Sequence, residues 1–88
     1  MSDFSVIFVT RLGCHLCEEA EPLVRRLATG IGVSVEVKDI DADPALRHEY
    51  SDRIPVVLGP SRRVLAEGII DEAELQKALA AEQARMFG

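Results

Sequence analysis

The two cysteines of the chain, Cys14 and Cys17, lie three positions apart where a strand pattern gives way to a helix pattern. Cysteines with this spacing at the start of a helix bring their sulfurs within bonding distance of each other. The free N–H groups and the positive dipole end of that helix stabilise a thiolate. A thiolate attacks disulfides, and a second thiol beside it can resolve the mixed disulfide that forms. The spacing therefore predicts thiol–disulfide chemistry at a strand-to-helix junction.

Length and charge exclude several classes of protein. The chain of 88 residues has room for a single domain, residues 1–88, with one hydrophobic core. A net charge of −5 argues against binding to nucleic acids or to an anionic membrane. No apolar run has the length of a membrane span, and Met1–Ser2–Asp3 lacks the basic start of a signal peptide. We therefore expect a cytoplasmic protein, in which a CxxC pair is more often catalytic or metal-binding than structural.

The first half of the chain predicts two strands around a long helix. Phe4–Val9 is an apolar, β-branched run that is typical of a strand buried on both faces of a sheet. From Leu16 the apolar residues recur with helical spacing as far as residue 31, and Pro22 is expected to bend this helix. Val33–Val37 then alternates between apolar and polar residues, which predicts a second strand.

The second half predicts a short helix, a hairpin and a last helix. Asp43–Pro44 is a helix-start signal, with the helix running to about Tyr50. Residues 54–58 and 64–66 predict two strands, which must be antiparallel because the connection between them is a tight turn. Asp71 is expected to cap the last helix. The resulting order, β-α-β-α-β-β-α, favours an α/β fold with one four-stranded mixed sheet and three flanking helices.

The order and spacing of these parts resemble the thioredoxin superfamily, and within it the small glutaredoxin-like proteins. The matching parts are the first strand, Arg11–Cys17, the helix with Pro22, Ile54–Pro55–Val56, and Gly68 with Asp71. The resemblance covers almost the whole chain. It implies a thioredoxin-like fold and an enzyme, a thiol–disulfide oxidoreductase that reduces protein or glutathione mixed disulfides with its CxxC redox pair.

The resemblance also implies how the chemistry is divided among residues. Cys14 matches the exposed nucleophilic cysteine of the family, and Cys17 matches the more buried resolving cysteine. Pro55 matches the cis-proline that packs beside the disulfide. A cis bond there would free the backbone of Ile54, so that an extended thiol substrate would lie along Ile54 and Val56.

Three further positions are implied to bind a small thiol. Arg11 stands where glutaredoxins often carry a basic residue, which would favour the thiolate and attract a glutathione carboxylate. Gly68 and Asp71 fall where glutaredoxins hold the γ-glutamyl end of glutathione. We expect no tightly bound cofactor and no metal, glutathione or another small thiol as co-substrate, and disulfide-containing proteins or small disulfides as partners of a monomer.

Three features depart from the usual family pattern. His15–Leu16 stands between the cysteines where glutaredoxins have Pro-Tyr and thioredoxins Gly-Pro. Glu67–Gly68 replaces the glutaredoxin glycine pair, and the thioredoxin tryptophan before the motif is absent. His15 is expected either to lower the pKa of the Cys14 thiol through its imidazolium or to be an exposed side chain without such a role. The alternative function is a thioredoxin-fold binding module that recognises a partner, a metal or an iron–sulfur cluster without turnover.

Overall fold

The strands and α-helices follow the predicted order within residues 4–87, the part of the chain that the computed structural model describes. Met1–Asp3, on which the absence of a signal-peptide start was predicted, lies outside the described residues. The elements are β1 (Ser5–Thr10), α1 (His15–Gly30), β2 (Ser34–Asp39), α2 (Pro44–Tyr50), β3 (Val56–Leu58), β4 (Val64–Glu67) and α3 (Glu72–Phe87). Within the described range, no helix combines the length and the apolar character needed to span a membrane.

The four strands form one mixed sheet in the order β2-β1-β3-β4. Strands β1 and β2 are parallel, because helix α1 returns the chain to the end of the sheet at which β1 begins. Strand β3 is antiparallel to both β1 and β4, and the short connection between β3 and β4 requires that orientation. The predicted four-stranded mixed sheet is therefore confirmed.

Each face of the sheet carries its own buried core. On one face, α1 and α3 cover side chains of the two central strands, namely Val6, Phe8 and Val57. On the other face, α2 and the 3₁₀ turn before it cover Val9, Val56 and Leu58. Because β1 is covered on both faces, its four central residues, Val6–Val9, are all apolar, as in the predicted strand.

Strand β3 is shorter than predicted because Ile54 and Pro55, the first two residues of the predicted strand, do not join the sheet. Pro55 has no N–H to give to a neighbouring strand, and the N–H of Ile54 donates to the carbonyl of Tyr50 at 3.1 Å. The strand ladder therefore begins at Val56 rather than at Ile54. Asp39 and Asp41 are residue types that end a strand and start a turn, and the structure has the 3₁₀ turn Ile40–Ala42 there, with Asp39 accepting a hydrogen bond from the N–H of Asp41 at 2.8 Å.

The register of the strands brings four segments together at one end of the sheet, where β1, β2 and β4 finish and β3 begins. Thr10 pairs with Asp39, Val9 pairs with Val56, and Val56 pairs with Glu67. The segments that leave or enter the strands at this end are residues 10–14, 39–41, 53–56 and 67–68. We call them the Cys14 edge, because the first of them leads directly to Cys14.

Asp43 caps α2, and its loss has a measurable consequence. Its carboxylate accepts hydrogen bonds from the N–H groups of Ala45 at 3.0 Å and Leu46 at 3.3 Å. We expect Asp43→Ala to lower the free energy of unfolding by about 1 kcal/mol, because two helical N–H groups lose their acceptor. Denaturant unfolding measures this loss. The exposed Asp52 is the control: Asp52→Ala should change stability by less than about 0.5 kcal/mol, and equal losses in both variants would contradict the cap.

Candidate active site

The two cysteines form a disulfide at the amino end of α1, with their Cα atoms 5.2 Å apart. Cys14 is the N-cap residue, with extended backbone angles of φ −85° and ψ 111°. Its sulfur accepts a hydrogen bond from the N–H of Cys17 at 3.1 Å. Cys14 is half-buried, whereas Cys17 is only 1% exposed and belongs to the core beneath α1. The pair therefore has one sulfur that a second molecule can approach and one that is held inside.

A tight turn carries the chain from β1 to the start of α1. The N–H of Cys14 donates to the carbonyl of Arg11 at 3.2 Å. Gly13 has a φ of +80°, a conformation that residues with a side chain rarely adopt. A Cβ atom at Gly13 would meet nothing within 4 Å, so the backbone angle rather than lack of space favours glycine here. This turn places Cys14 at the N-cap.

The residues between the cysteines point away from the buried sulfur. The side chain of His15 is 81% exposed, and its Nε2 lies 2.7 Å from Oε2 of Glu19, one turn along the helix. Of the two expectations for His15, the structure shows the exposed side chain. Leu16 is also exposed and lies beside the loop that follows β4.

A cavity of about 190 Å³ lies between the first turns of α1 and the loop after β4. Its lining is mostly apolar, with one carboxylate: Leu16, Glu19, Ala20, Leu23, Gly68, Ile69 and Ile70. The N–H of Gly68 donates to the carbonyls of Arg53 at 3.2 Å and Pro55 at 2.9 Å. Gly68 has a φ of +70°, which again favours glycine. The structure thus brings Gly68 together with Pro55 and with the helix that carries the cysteines.

The segment Ile54–Pro55–Val56 enters the sheet at the Cys14 edge, and the Ile54–Pro55 peptide bond is cis. Ile54 is partly buried against the same core as Cys14 and Cys17. The expectation that a substrate lies along Val56 needs correction. Val56 is fully buried and pairs with both β1 and β4, so neither its side chain nor its backbone faces the surface. The N–H of Ile54 is also engaged, because it donates within the protein.

Arg11 is held by a carboxylate that the sequence reasoning did not select. Its Nε lies 3.1 Å from Oδ2 of Asp41, and its Nη2 lies 2.9 Å from Oδ1. This two-point hydrogen bond raises the pKa of Arg11 and lowers the pKa of Asp41 below its usual value of 3.8. Because the lowered pKa belongs to the folded state, the ion pair stays intact at neutral pH. It is lost only when the pH falls through that lowered value.

Arg53 makes a second ion pair at the Cys14 edge. Its Nη2 and Nε lie 2.7 and 3.0 Å from Oε2 of Glu67, and its guanidinium lies 5.1 Å from the centre of the Tyr50 ring. The hydrogen bonds that Arg53 donates to Glu67 raise the pKa of Arg53. Neither residue was a predicted site residue. Glu67 stands where glutaredoxins have a glycine.

Asp71 has a structural role at the start of α3. Its Oδ2 accepts a hydrogen bond from the N–H of Glu74 at 2.9 Å, and its carbonyl accepts one from Leu75 at 2.9 Å. The predicted N-cap is therefore present. The described side chains of Asp, Glu, His and Cys form no group of three or more that could hold a metal ion.

Comparisons with known proteins agree with this geometry. The family model for the glutaredoxin-like domain (DUF836) matches residues 5–80. Uncharacterized proteins of Mycobacterium tuberculosis and Mycobacterium bovis are 35% identical over 63 residues, which are 66% of this chain and 65% of theirs. The match thus spans just under two thirds of the length of those relatives.

Solved structures share the fold. A structural-genomics target protein from X. campestris is 28% identical with a TM-score of 0.73, covering 88% of this chain and 97% of that one. A thioredoxin from Halobacterium salinarum is 25% identical with a TM-score of 0.72, covering 92% of this chain and 75% of that one. The thioredoxin-like α/β fold predicted from the sequence is confirmed.

Proposed function

The chain belongs to the glutaredoxin-like domain family (DUF836), and on that premise we propose that it is a thiol–disulfide oxidoreductase. The observation that carries the proposal is the asymmetry of the cysteine pair. The sulfur of the half-buried Cys14 caps a helix N-terminus, and its bonded partner, Cys17, is buried in the core. An accessible sulfur next to a protected one is what a two-step exchange of disulfides requires.

In the proposed reaction the reduced pair gives two electrons to a disulfide R–S–S–R. The Cys14 thiolate attacks one sulfur of the substrate, so that a Cys14–S–S–R bond forms and one RS⁻ leaves. The Cys17 thiol then loses its proton and attacks the Cys14 sulfur. This step forms the Cys14–Cys17 disulfide and releases the second RS⁻. The substrate is reduced to two thiols, and the protein dithiol is oxidised to a disulfide.

The start of α1 supports the first step. A helix N-terminus carries a partial positive charge, and the hydrogen bond from the N–H of Cys17 reaches the Cys14 sulfur directly. Both interactions are stronger with a thiolate than with a thiol, so they favour the attacking form and also make it a better leaving group. Glu18 in the first turn opposes them with its negative charge.

A small thiol, glutathione or one of similar size, is the proposed reductant that returns the disulfide to the dithiol. The cavity lined by Leu16, Gly68 and Ile69 lies beside α1 and has room for part of such a molecule. Disulfide-containing proteins and small disulfides are the proposed substrates. We place the reaction in the cytoplasm, where protein thiols are kept reduced.

Catalytic turnover tests the proposal. Reduction of 2-hydroxyethyl disulfide by NADPH is followed with glutathione and glutathione reductase, and separately with a thioredoxin reductase. Substoichiometric protein should accelerate NADPH consumption in at least one system, and the acceleration should disappear when both cysteines are replaced by serine. A protein that accelerates neither reaction would contradict the proposed turnover.

A further inference from the structure

The Cys14 edge contains two basic residues, Arg11 and Arg53, and neither presents a free guanidinium. Arg11 is bound at two points by Asp41, and Arg53 is bound by Glu67. Both acids come from the Cys14 edge, where the two outer strands of the sheet finish: Asp41 lies just after β2, and Glu67 is the last residue of β4. The cations that stand closest in the chain to Cys14 and to Pro55 are therefore already occupied by carboxylates of the protein itself.

We propose that Asp41 and Glu67 are specificity-determining residues that withhold the two arginines from the carboxylates of a substrate. The reduced protein then prefers disulfides that lack carboxylates over glutathione disulfide, which carries two on each half. This inference rests on the proposed oxidoreductase function and names the charge class of its substrates. Because disulfide exchange is reversible, the same preference applies to the reductant, and among small thiols it favours one with fewer carboxylates than glutathione.

The geometry gives the internal acids an advantage over a carboxylate from solution. Asp41 meets Arg11 through both of its oxygens, the arrangement that binds a guanidinium most strongly. Each acid is tethered within reach of its arginine, so its effective concentration is on the order of millimolar or higher. Arg53 is further fixed against the ring of Tyr50. A glutathione carboxylate would have to displace these contacts before it gained any.

The charge of the protein acts in the same direction. Ten basic residues face fifteen acidic ones, so the chain has a net charge of −5. Beside the two ion pairs, the Cys14 edge also carries Asp39, whose carboxylate accepts the N–H of Asp41 and adds a further negative charge near Arg11. A disulfide with several carboxylates is therefore repelled rather than attracted as it approaches.

Single-turnover kinetics of the reduced protein test the inference without any reductase. Oxidation of the cysteine pair is measured with glutathione disulfide and with uncharged 2-hydroxyethyl disulfide. The readout is the glutathione ratio, the rate with glutathione disulfide divided by the rate with 2-hydroxyethyl disulfide. The intrinsic reactivities of the two disulfides are the same for every variant, so a change in this ratio reports a change in preference. We expect Asp41→Asn to raise the glutathione ratio by roughly threefold, because it frees one arginine for one exposed charge pair with the substrate. The double variant, Asp41→Asn with Glu67→Gln, frees two arginines and should raise the ratio by roughly tenfold.

Two controls show that the arginine, rather than the lost negative charge, produces the gain. Glu36→Gln removes an exposed carboxylate in the middle of β2, away from the Cys14 edge, and should leave the ratio within about twofold. Adding Arg11→Ala to Asp41→Asn should return the ratio to the wild-type value. Because the substituted ion pairs are exposed, all of these variants should fold.

Salt dependence of the wild-type protein gives a second test that needs no variant. With its arginines occupied, the protein should react faster with glutathione disulfide as salt screens the repulsion. A rate that falls with salt, or a ratio unchanged in the double variant, would overturn the inference while the oxidoreductase function stands. A reduced protein that reacts with neither disulfide would instead overturn the function itself, and this inference with it.

Discussion

Cys14→Ser is expected to abolish disulfide exchange, lowering the single-turnover rate with a small disulfide by at least about a thousandfold. Cys14 carries the accessible sulfur at the N-cap of α1, and a serine hydroxyl cannot form or accept a disulfide bond. The loss is measured by stopped-flow oxidation of the reduced protein under excess disulfide. A variant that keeps more than a tenth of the wild-type rate would show that Cys14 is not the nucleophile.

Cys17→Ser is the matched control, because it makes the same chemical change at the other sulfur. Cys17 is buried, so its removal should leave the first attack in place but prevent the second. We expect this variant to accumulate a one-to-one mixed disulfide with the substrate on Cys14, detected by intact-mass spectrometry. If Cys17→Ser were as inert as Cys14→Ser, the division of roles between the cysteines would be wrong.

Leu75→Ala is expected to lower the free energy of unfolding by about 2–5 kcal/mol, the range for removing a fully buried leucine side chain. Leu75 is completely buried at the start of α3. It belongs to the core cluster that contains Cys17, Phe8 and Val57. The substitution would leave a cavity in the core that α3 shares with Cys17. Denaturant unfolding of the oxidised protein measures the loss.

Leu12 supplies a control with the same substitution. Its side chain is 89% exposed in the loop before Cys14, so Leu12→Ala removes very little buried surface. We expect its stability to stay within about 0.5 kcal/mol of the wild type. Comparable losses in the two leucine variants would mean that the core described around Leu75 does not hold α3 in place.

Most of the fold could be predicted from the sequence, because the residue patterns that indicate each strand and helix are local and agree with one another. The apolar run of β1 predicts a strand covered on both faces, and two separate cores cover it. Asp43 and Asp71 predict helix starts, and both accept hydrogen bonds from the first turns of their helices. Strand β3 begins at Val56, two residues later than the sequence predicts. The N–H of Ile54 donates to the carbonyl of Tyr50 at the end of α2, and no residue pattern predicts this hydrogen bond.

The site was predictable in its reactive centre and much less so in its surroundings. The CxxC spacing at a strand-to-helix junction identifies Cys14 and Cys17 without any structure. The partners of Arg11 and Arg53 depend instead on strand register, because Asp41 and Glu67 are distant in sequence from them. The sequence predicts that Arg11, three residues before Cys14, binds a substrate carboxylate, and it makes no prediction for Arg53. Only the packing of the strand ends shows which acids already occupy them.

The most direct test of a redox-active pair is an equilibrium titration of the purified protein in thiol–disulfide buffers, read by alkylation of the free cysteines and intact mass. The Cys14–Cys17 pair should convert reversibly in a single two-electron step with a midpoint of roughly −180 to −280 mV, the range of cellular exchange proteins. A pair that stays in one state across that range, or that is occupied by stoichiometric zinc or an iron–sulfur cluster, would contradict the proposed function.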